Sequence, residues 1–293
     1  MLQESLDIVV PPQAPDDGVY VDATFGGGGH TEGILSRKPA SRVVALDADP
    51  QAVERARNVA KRYAGRLVAV HANFADLDAV LDGCGIDRVD GVIYDLGLSS
   101  WQLAASGRGF SFAGDEPLDM RFDPTSGPTA ADMLAHKSED ELAHLIARFG
   151  ERHARRIARR IADRRRLGPL ASTGELVAAI RGALPSQSPR RRSRIHFATR
   201  TFMALRVAVN DEERALESTL GAAVSRVRRG GGIAVISFHS GEDRIVKHAF
   251  GRYQLAGRVR ILTRKPLRPG PHESAANSRS RSARLRGAVV AGA

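Results

Sequence analysis

The stretch Val19-Tyr20-Val21-Asp22-Ala23-Thr24-Phe25-Gly26-Gly27-Gly28-Gly29 decides the fold, because an apolar run leads through an aspartate into four consecutive glycines. The apolar run predicts a buried strand, and the residues that follow the glycines predict a helix. Three more strands are predicted at residues 42–46, 67–70 and 91–94, with helical patterns between them. Strands that alternate with helices at this spacing form parallel, doubly wound sheets, so the sequence predicts an α/β fold.

The predicted strands end on residues that suit a nucleoside ligand. In doubly wound sheets a ligand lies beyond the carboxyl ends of the strands, and Asp22, Asp47, Phe74 and Asp95 all fall there. A dinucleotide fingerprint needs a third glycine, but its position is taken by Thr31 or Glu32, depending on the starting glycine. The glycines still allow a ligand to lie against the backbone, and Asp47 suits the hydroxyls of a ribose. The pattern therefore favours a nucleoside ligand without a pyrophosphate.

Length and composition restrict the class of protein. The 293 residues suffice for one large or two smaller domains, and no apolar stretch approaches the ~20 residues of a membrane span. The N-terminus lacks the basic and apolar regions of a signal peptide, and the single cysteine, Cys84, excludes an internal disulfide framework. We therefore expect a cytoplasmic protein without a membrane partner. No metal site is expected, because the histidines have no ligand spacing.

The charge distribution indicates a polyanionic partner. Lysine and arginine number 44 against 33 aspartates and glutamates, which gives a formal net charge of +11. The excess lies in residues 148–166, 190–194 and 252–286 rather than being spread evenly, and such clusters are typical of nucleic-acid binding. An arginine-covered helix is usually only a solvated face, but the first cluster has few acidic neighbours in the sequence. We expect it to contact RNA phosphates through Arg155, Arg159 and Arg166.

The middle of the chain predicts a helical insertion. Ser138 with Glu141, and Ser172 with Glu175, have the spacing of capping boxes that open helices. Apolar residues recur at helical spacing after Ser138 and again within residues 154–161, and a fifth strand is predicted only at residues 231–236. The sequence therefore predicts one domain from residues 1–103 and 206–293, interrupted by an all-helical domain at residues 104–205. Residues 186–194 predict a mobile loop, and the Ser-Arg alternation of residues 277–286 predicts a disordered tail whose Arg279 and Arg281 order on RNA.

Several motifs together resemble a known family. The blocks are Val21-Asp22-Ala23-Thr24-Phe25-Gly26-Gly27-Gly28-Gly29-His30, Ala45-Leu46-Asp47-Ala48-Asp49-Pro50, Asn73-Phe74, Asp95-Leu96-Gly97-Leu98-Ser99-Ser100, Arg108-Gly109-Phe110-Ser111-Phe112, Pro117-Leu118-Asp119-Met120-Arg121, Phe197-Ala198-Thr199-Arg200-Thr201-Phe202 and Ser237-Phe238-His239-Ser240-Gly241-Glu242. They resemble, in order and over nearly the whole chain, the ribosomal small-subunit methyltransferase H family, also called MraW-type. The chain departs from that family at Trp101, where proline is common, and begins after its usual His-x-Pro-Val-Leu-type opening segment.

The resemblance implies a function and a set of site residues. It implies a Rossmann-like class I methyltransferase sheet that uses S-adenosylmethionine to methylate N4 of a cytosine in 16S rRNA of the small ribosomal subunit. A homodimer is compatible with the sequence, which leaves the oligomeric state open. The residues that the resemblance places against S-adenosylmethionine are Gly28, Gly29, His30, Asp47, Phe74, Asp95 and Gln102.

Amino-group methylation needs an acceptor for the amino protons, and Asp95 occupies the position where many amino-methyltransferases begin their Asn/Asp-Pro-Pro-Tyr motif. Asp119 is the alternative acceptor. The stacking tyrosine of that motif is absent, which leaves Trp101, Phe110 or Phe112 to stack on the base.

Three other interpretations lead to different experiments. Methylation at C5 needs a cysteine nucleophile, and Cys84 is predicted on the far side of the sheet from the strand ends. A non-catalytic RNA-binding or assembly factor would bind no S-adenosylmethionine. A protein methyltransferase would prefer protein acceptors in a filter assay.

Overall fold

The computed structural model describes residues 1–185 and 196–292. These residues form two compact units, one made of Met1–Ser99 with Glu213–Ala293 and the other of Ser100–Glu212. The predicted loop at 186–194, with its arginine run 190–194, lies outside the described residues. Within the described parts of the chain, no helix is both long and apolar enough to cross a membrane.

The first hundred residues alternate strands and helices. A glycine-containing loop separates the first strand from its helix, and Asp49 caps a helix that has Pro50 in its first turn. The elements are α1 (Leu2–Val9), β1 (Val19–Asp22), α2 (Gly29–Arg37), β2 (Arg42–Asp47), α3 (Pro50–Ala60), β3 (Leu67–His71), a 3₁₀ turn (Phe74–Asp76), α4 (Leu77–Gly83) and β4 (Val89–Asp95). All four strands predicted in this region are present.

The chain then forms the second unit, whose described residues contain helices and one isolated β-bridge. Both predicted capping boxes are confirmed, at Ser138 with Glu141 and at Ser172 with Glu175. The helices are α5 (Ser100–Ala105), α6 (Ala130–His136), α7 (Glu139–Ala147), α8 (Ala154–Arg165), α9 (Thr173–Ala183) and α10 (Thr199–Val209). The expected insertion at 104–205 falls inside this unit, whose core includes the buried Ile146, Ile157 and Ile161.

The last third of the chain completes the sheet of the first unit. Its elements are α11 (Glu212–Arg226), β5 (Val227–Ser237), α12 (Ser240–Leu255), β6 (Val259–Ile261), α13 (Pro271–Ala276), a 3₁₀ turn (Ser278–Ser282) and β7 (Arg284–Val290). The strand predicted at residues 231–236 lies within β5. The seven strands have the order β3-β2-β1-β4-β5-β7-β6, with β7 antiparallel to both neighbours. The predicted α/β class is confirmed, because β1 to β5 pair in parallel.

Alternate strand residues build a core on each face of the sheet. Val21, Val44 and Tyr94 belong to one buried cluster, whereas Tyr20 and Ile93 belong to another. Successive strand side chains point to opposite faces, so a strand covered on both sides has a continuous apolar sequence. The chain proceeds from β1 outward to β3 and then returns to β4 on the other side of β1. This reversal makes the carboxyl ends of β1 and β4 the expected ligand crevice.

The prediction of a disordered tail at residues 277–286 is wrong. Residues 278–282 form a 3₁₀ turn, and the strand β7 begins at Arg284 and pairs between β5 and β6. The Ser-Arg alternation misled because the apolar side of this strand begins only at the buried Leu285. The buried Arg286 is neutralised by Asp243, whose Oδ1 lies 2.7 Å from its Nε. A buried arginine is tolerated when it is paired in this way.

Candidate active site

The glycine loop turns sharply between β1 and α2. Gly28 has a φ of +83°, and a Cβ there would lie 2.8 Å from the Phe25 ring. Its conformation and its close contact both require glycine. A Cβ on Gly27 or Gly29 would instead meet nothing within 4 Å. The loop therefore leaves its backbone open at the start of α2, where a ligand can approach it directly.

Asp47 joins the end of β2 to this loop. Its Oδ2 accepts a hydrogen bond from the Gly26 backbone N–H at 2.8 Å, and its Oδ1 accepts one from the Asp49 N–H at 2.9 Å. Burial nevertheless raises the pKa of Asp47 to about 6. Each carboxylate oxygen has a further lone pair, so the side chain can still accept hydrogen bonds from two hydroxyls. This is the arrangement that a ribose diol needs.

Asp22 lies beneath the loop at the end of β1. Its Oδ2 accepts a hydrogen bond from the Thr31 hydroxyl at 2.7 Å, and its Oδ1 accepts one from the Thr24 N–H at 3.2 Å. The side chain is buried, and this burial raises the pKa of Asp22 above its ordinary value. The Thr24 hydroxyl in turn accepts the Asp95 backbone N–H at 2.6 Å. Thr24 thus links the ends of β1 and β4, whereas Thr31 ties α2 to the end of β1.

Asp95 ends β4 and faces His30, the second residue of α2. Nδ1 of His30 lies 3.8 Å from Oδ2 of Asp95. The other atoms of the pair, Nε2 of His30 and Oδ1 of Asp95, are shielded from solvent and have no hydrogen-bond partner among the described residues. Burial raises the pKa of Asp95 to about 6. The Asp95 side chain as a whole is still 38% exposed, so its carboxylate is able to accept a hydrogen bond from a ligand or a substrate.

Phe74 follows β3, the strand that pairs with β2, and begins the 3₁₀ turn after it. The Ala72 N–H donates to the Asp47 carbonyl at 3.1 Å, and the chain continues directly into the 3₁₀ turn that begins at Phe74. The Phe74 ring meets the buried Tyr94 ring edge-on, with the two centroids 6.0 Å apart. An edge-on contact leaves a face of the phenylalanine ring for other neighbours. The structure thus groups Gly28, Gly29, His30, Asp47, Phe74 and Asp95 at one edge of the sheet.

The other predicted site residues belong to the second unit. Gln102 is in α5, and Asp119 accepts two hydrogen bonds from the Arg121 guanidinium, both at 2.8 Å. Partial burial opposes ionisation of Asp119, but the Arg121 guanidinium holds the pKa of Asp119 below its usual range. Because a guanidinium already neutralises its charge and lowers its pKa, Asp119 is a weaker candidate for a proton acceptor than Asp95.

The three aromatic candidates for base stacking differ in their surroundings. Phe110 is buried, and its ring stacks on Phe122 with the centroids 5.8 Å apart. Phe112 stacks on His196 with the centroids 4.3 Å apart. Trp101 is 48% exposed. Of the three, Trp101 has the largest accessible ring.

The predicted RNA-contacting arginines lie along α8 and at its end. All three are exposed, but Arg159 lies 3.5 Å from Glu139 and Arg166 lies 3.2 Å from Asp163. Two neighbouring arginines instead make contacts within the second unit. Arg164 pairs with Glu175 at 2.9 Å, and Arg165 donates to the backbone carbonyls of Leu134 and Lys137. The expectation of few acidic neighbours was therefore wrong for this surface, because Glu139 and Glu175 come from other helices.

The sequence did not predict the hydrogen bonds of the two threonines or the contact between His30 and Asp95. Asp22 was recognised only as a strand end, and nothing in the spacing of the two threonines shows that Thr31 donates to Asp22 or that Thr24 bonds to both Asp22 and Asp95. The pairing of His30 with Asp95 spans 65 positions and depends on β4 lying next to β1. The only signal for it in the sequence was the prediction that the carboxyl ends of the strands lie at the same edge of a parallel sheet.

The sheet, with its antiparallel seventh strand and its strand-end carboxylates around a glycine loop, defines a class I methyltransferase. In such an enzyme the open loop, Asp47 and Phe74 suit the amino-acid, ribose and adenine parts of S-adenosylmethionine. Residues 1–290 match the model of the MraW methylase family, and the chain belongs to that family. The resemblance found in the sequence is thereby confirmed, as are the enzyme class and S-adenosylmethionine as the methyl donor.

Related proteins cover the chain almost completely. The chain is 47% identical over 305 residues to a protein of Thermomicrobium roseum named ribosomal RNA small subunit methyltransferase H, covering 98% of this chain and 91% of the relative. A protein of the same name from Thermotoga neapolitana is 45% identical over 293 residues, covering 99% of this chain and 94% of the relative. A solved rRNA methylase from Streptococcus thermophilus overlaps at a TM-score of 0.45 and 10% identity, covering 95% of this chain and 90% of that one. That structural overlap is too low to support any inference.

Proposed function

We propose that this methyltransferase transfers a methyl group from S-adenosylmethionine to the exocyclic N4 of one cytosine in 16S rRNA of the small ribosomal subunit. The observation that carries the reaction type is Asp95, which ends β4 with a carboxylate side chain that is 38% exposed and that has an oxygen without a hydrogen-bond partner among the described residues. The names of the relatives support small-subunit ribosomal RNA as the substrate. Such a substrate also implies a cytoplasmic location.

The first unit supplies the donor side of the site. Gly28, Gly29 and His30 line the end of S-adenosylmethionine that carries the amino acid, Asp47 accepts from the ribose hydroxyls, and Phe74 offers its ring to the adenine. When bound, S-adenosylmethionine supplies an electrophilic methyl group on a positively charged sulfur. Because methyl transfer is an in-line displacement, holding the two reacting atoms in register provides much of the rate.

Asp95 provides the acceptor side. The lone pair of the cytosine amino group is delocalised into the ring, which makes this nitrogen a poor nucleophile. A carboxylate that accepts an amino N–H turns the lone pair out of the ring plane and toward the methyl group. Asp95 has a pKa of about 6, so it is mostly ionised at neutral pH and able to act as this acceptor. Asp119 remains the second candidate for this role.

The second unit supplies charge for the RNA. Arg155, Arg159 and Arg166 are exposed along and after α8, and we assign them to phosphate contacts. Gln102 is assigned to the cofactor on the resemblance alone. The positive charge attracts RNA of any sequence, so recognition of one particular cytosine must come from contacts with the bases.

Product analysis tests this function. The purified protein is incubated with S-adenosylmethionine and either free 16S rRNA or assembled small subunits, and the digested RNA is examined by mass spectrometry. We expect N4-methylcytidine at a single position, and the two substrates show which form the enzyme uses. Methyl on C5, or on a base other than cytosine, would rule out the proposed reaction.

A further inference from the structure

His30 and Asp95 form a pair that the cofactor-binding role of the loop does not explain. His30 is 13% exposed in its side chain, and its Nδ1 faces the Asp95 carboxylate at 3.8 Å. Its Nε2 and the Oδ1 of Asp95 are both shielded without a hydrogen-bond partner among the described residues. Buried polar atoms in native proteins are almost always satisfied, and exceptions concentrate where a group changes its state during function. An ionisable pair with an unused atom on each side is such an exception.

The charged groups around this pair are mostly acidic. Asp22 at the end of β1 and Glu242 in α12 are the acids that act on Asp95, and the amino group of Met1 acts on it with the opposite sign. Asp22 also interacts with His30. Carboxylates near an imidazole favour its charged form, whereas a second positive charge close by disfavours that form. A second cation at such a site competes with a charged imidazole for the same carboxylates.

Methyl transfer changes that condition. The amino lone pair forms the new N–C bond, the S–C bond breaks with its electron pair remaining on sulfur, and the methylated nitrogen must lose one proton. The sulfonium charge of S-adenosylmethionine is absent from the product S-adenosylhomocysteine. The reaction therefore removes one positive charge from the site and releases one proton at the same time. A base that gains its proton at this point keeps the total charge of the site constant.

We propose that His30 takes up the proton that the amine gives to Asp95, and so returns Asp95 to the ionised form that the next turnover needs. This inference rests on the proposed role of Asp95. Nδ1 of His30 lies 3.8 Å from Oδ2 of Asp95, and an approach of about 1 Å brings it within hydrogen-bond distance of the carboxylate. His30 acts through Asp95, so it is a positioning residue and does not itself react with the base.

Proton uptake on ligand binding tests the proposal without RNA. Titration calorimetry in two buffers of different ionisation enthalpy, near neutral pH, measures the protons that the protein takes up with each ligand. We expect more protons to be taken up with S-adenosylhomocysteine than with S-adenosylmethionine. The difference is lost in His30→Asn, which keeps a polar side chain without an ionisable group, and is kept in His248→Asn, an exposed control on α12.

Kinetics separate this role from a merely structural one. His30→Asn is expected to lower kcat by ~10-fold while the KM for S-adenosylmethionine changes less. A raised KM with an unchanged kcat would show that His30 only holds the loop, and would overturn the proposal. Equal proton uptake with both ligands in the parent protein, or a difference that survives in His30→Asn, would overturn it as well. Failure of the proposed N4 methylation would appear in the product RNA and leave the calorimetric result unaffected.

Discussion

The carboxylates at the strand ends of the first unit and the arginines of α8 carry opposite charges in opposite surroundings. Asp22 is 1% exposed, whereas the side chains of Arg159 and Arg166 are 74% and 78% exposed. Burial raises the pKa of Asp22, Asp47 and Asp95, so each of these acids resists its own ionisation. A buried acid is stabilised in its charged form by a specific partner at short range. An exposed arginine keeps its charge in water and attracts a polyanion at long range, in a salt-dependent manner.

We therefore expect the two surfaces to recognise different kinds of ligand. The strand-end carboxylates suit a small ligand with hydroxyls and a positive charge, and single substitutions there should have large effects. The exposed arginines suit an extended phosphate backbone, over which the free energy of binding is spread. We therefore expect the effect of substitution to fall steeply from Asp95 to the surface of α8.

The largest effect is expected for Asp95→Asn. The change preserves the shape of the side chain but removes the carboxylate that accepts the amino proton, so turnover should fall by roughly 10²-fold or more. Affinity for S-adenosylmethionine, measured by calorimetry, should largely survive. In the parent enzyme, activity should decrease as the pH falls below about 6, because the pKa of Asp95 is about 6 and protonation removes the acceptor. Full turnover in the variant would transfer the role to another residue, with Asp119 next.

A smaller effect, on binding, is expected for Asp47→Ala. The loss of hydrogen bonds from the ribose to a charged acceptor should weaken S-adenosylmethionine binding by about 1.5–3 kcal/mol in calorimetry. Asp49→Ala is the matched control, because Asp49 caps α3 by accepting the Gln51 N–H at 3.0 Å. The control should lose ~1 kcal/mol of stability with unchanged affinity. Unchanged affinity in a folded Asp47→Ala protein would remove Asp47 from the site.

Substitutions at the adjacent Gly28 and Gly29 distinguish an effect on the stability of the loop from an effect on ligand binding. Gly28→Ala places a Cβ against Phe25 at a positive φ, so the unfolding free energy should drop by at least ~1–2 kcal/mol. In Gly29→Ala the new Cβ meets no protein atom within 4 Å, and thermal unfolding should be unchanged. If the ligand lies against this backbone, Gly29→Ala should still lose affinity, by ~10-fold. Normal binding by a stable Gly29→Ala protein would place the ligand elsewhere.

The sequence predicted the sheet more completely than it predicted the site. β1, β2, β4 and β5 were recognisable because strands that lie inside the sheet give continuous apolar runs. The capping boxes at Ser138 and Ser172 were recognisable because each acts over only three residues. β7 was missed because its arginines conceal the buried Leu285, and the partner of Arg286 is 43 positions away. The contact between His30 and Asp95 likewise depends on the pairing of β1 with β4. Long-range pairings of this kind leave little trace in a single sequence.

The smallest single-residue effects are expected on α8. Replacing Arg155, Arg159 and Arg166 together with glutamine should weaken RNA binding and leave S-adenosylmethionine affinity intact. The dependence of log K on log salt should become shallower, by up to ~0.9 for each phosphate that an arginine no longer neutralises. Identical salt slopes for the variant and the parent would mean that this face is only solvated. Filter binding at several salt concentrations measures both quantities.

The ion pair between Arg159 and Glu139 sharpens that test. Nε of Arg159 lies 3.5 Å from Oε1 of Glu139, so the acid offsets part of the charge that would otherwise attract phosphate. Glu139→Gln removes the offset, and exposed pairs of this kind contribute at most ~1 kcal/mol, so stability should change little. RNA affinity should rise a few-fold at low salt, and the gain should vanish when Arg159 is also replaced. If the gain in RNA affinity were equal with and without Arg159, Glu139 would affect RNA binding only through the net charge of the protein. Arg159 would then lose its assignment to phosphate binding.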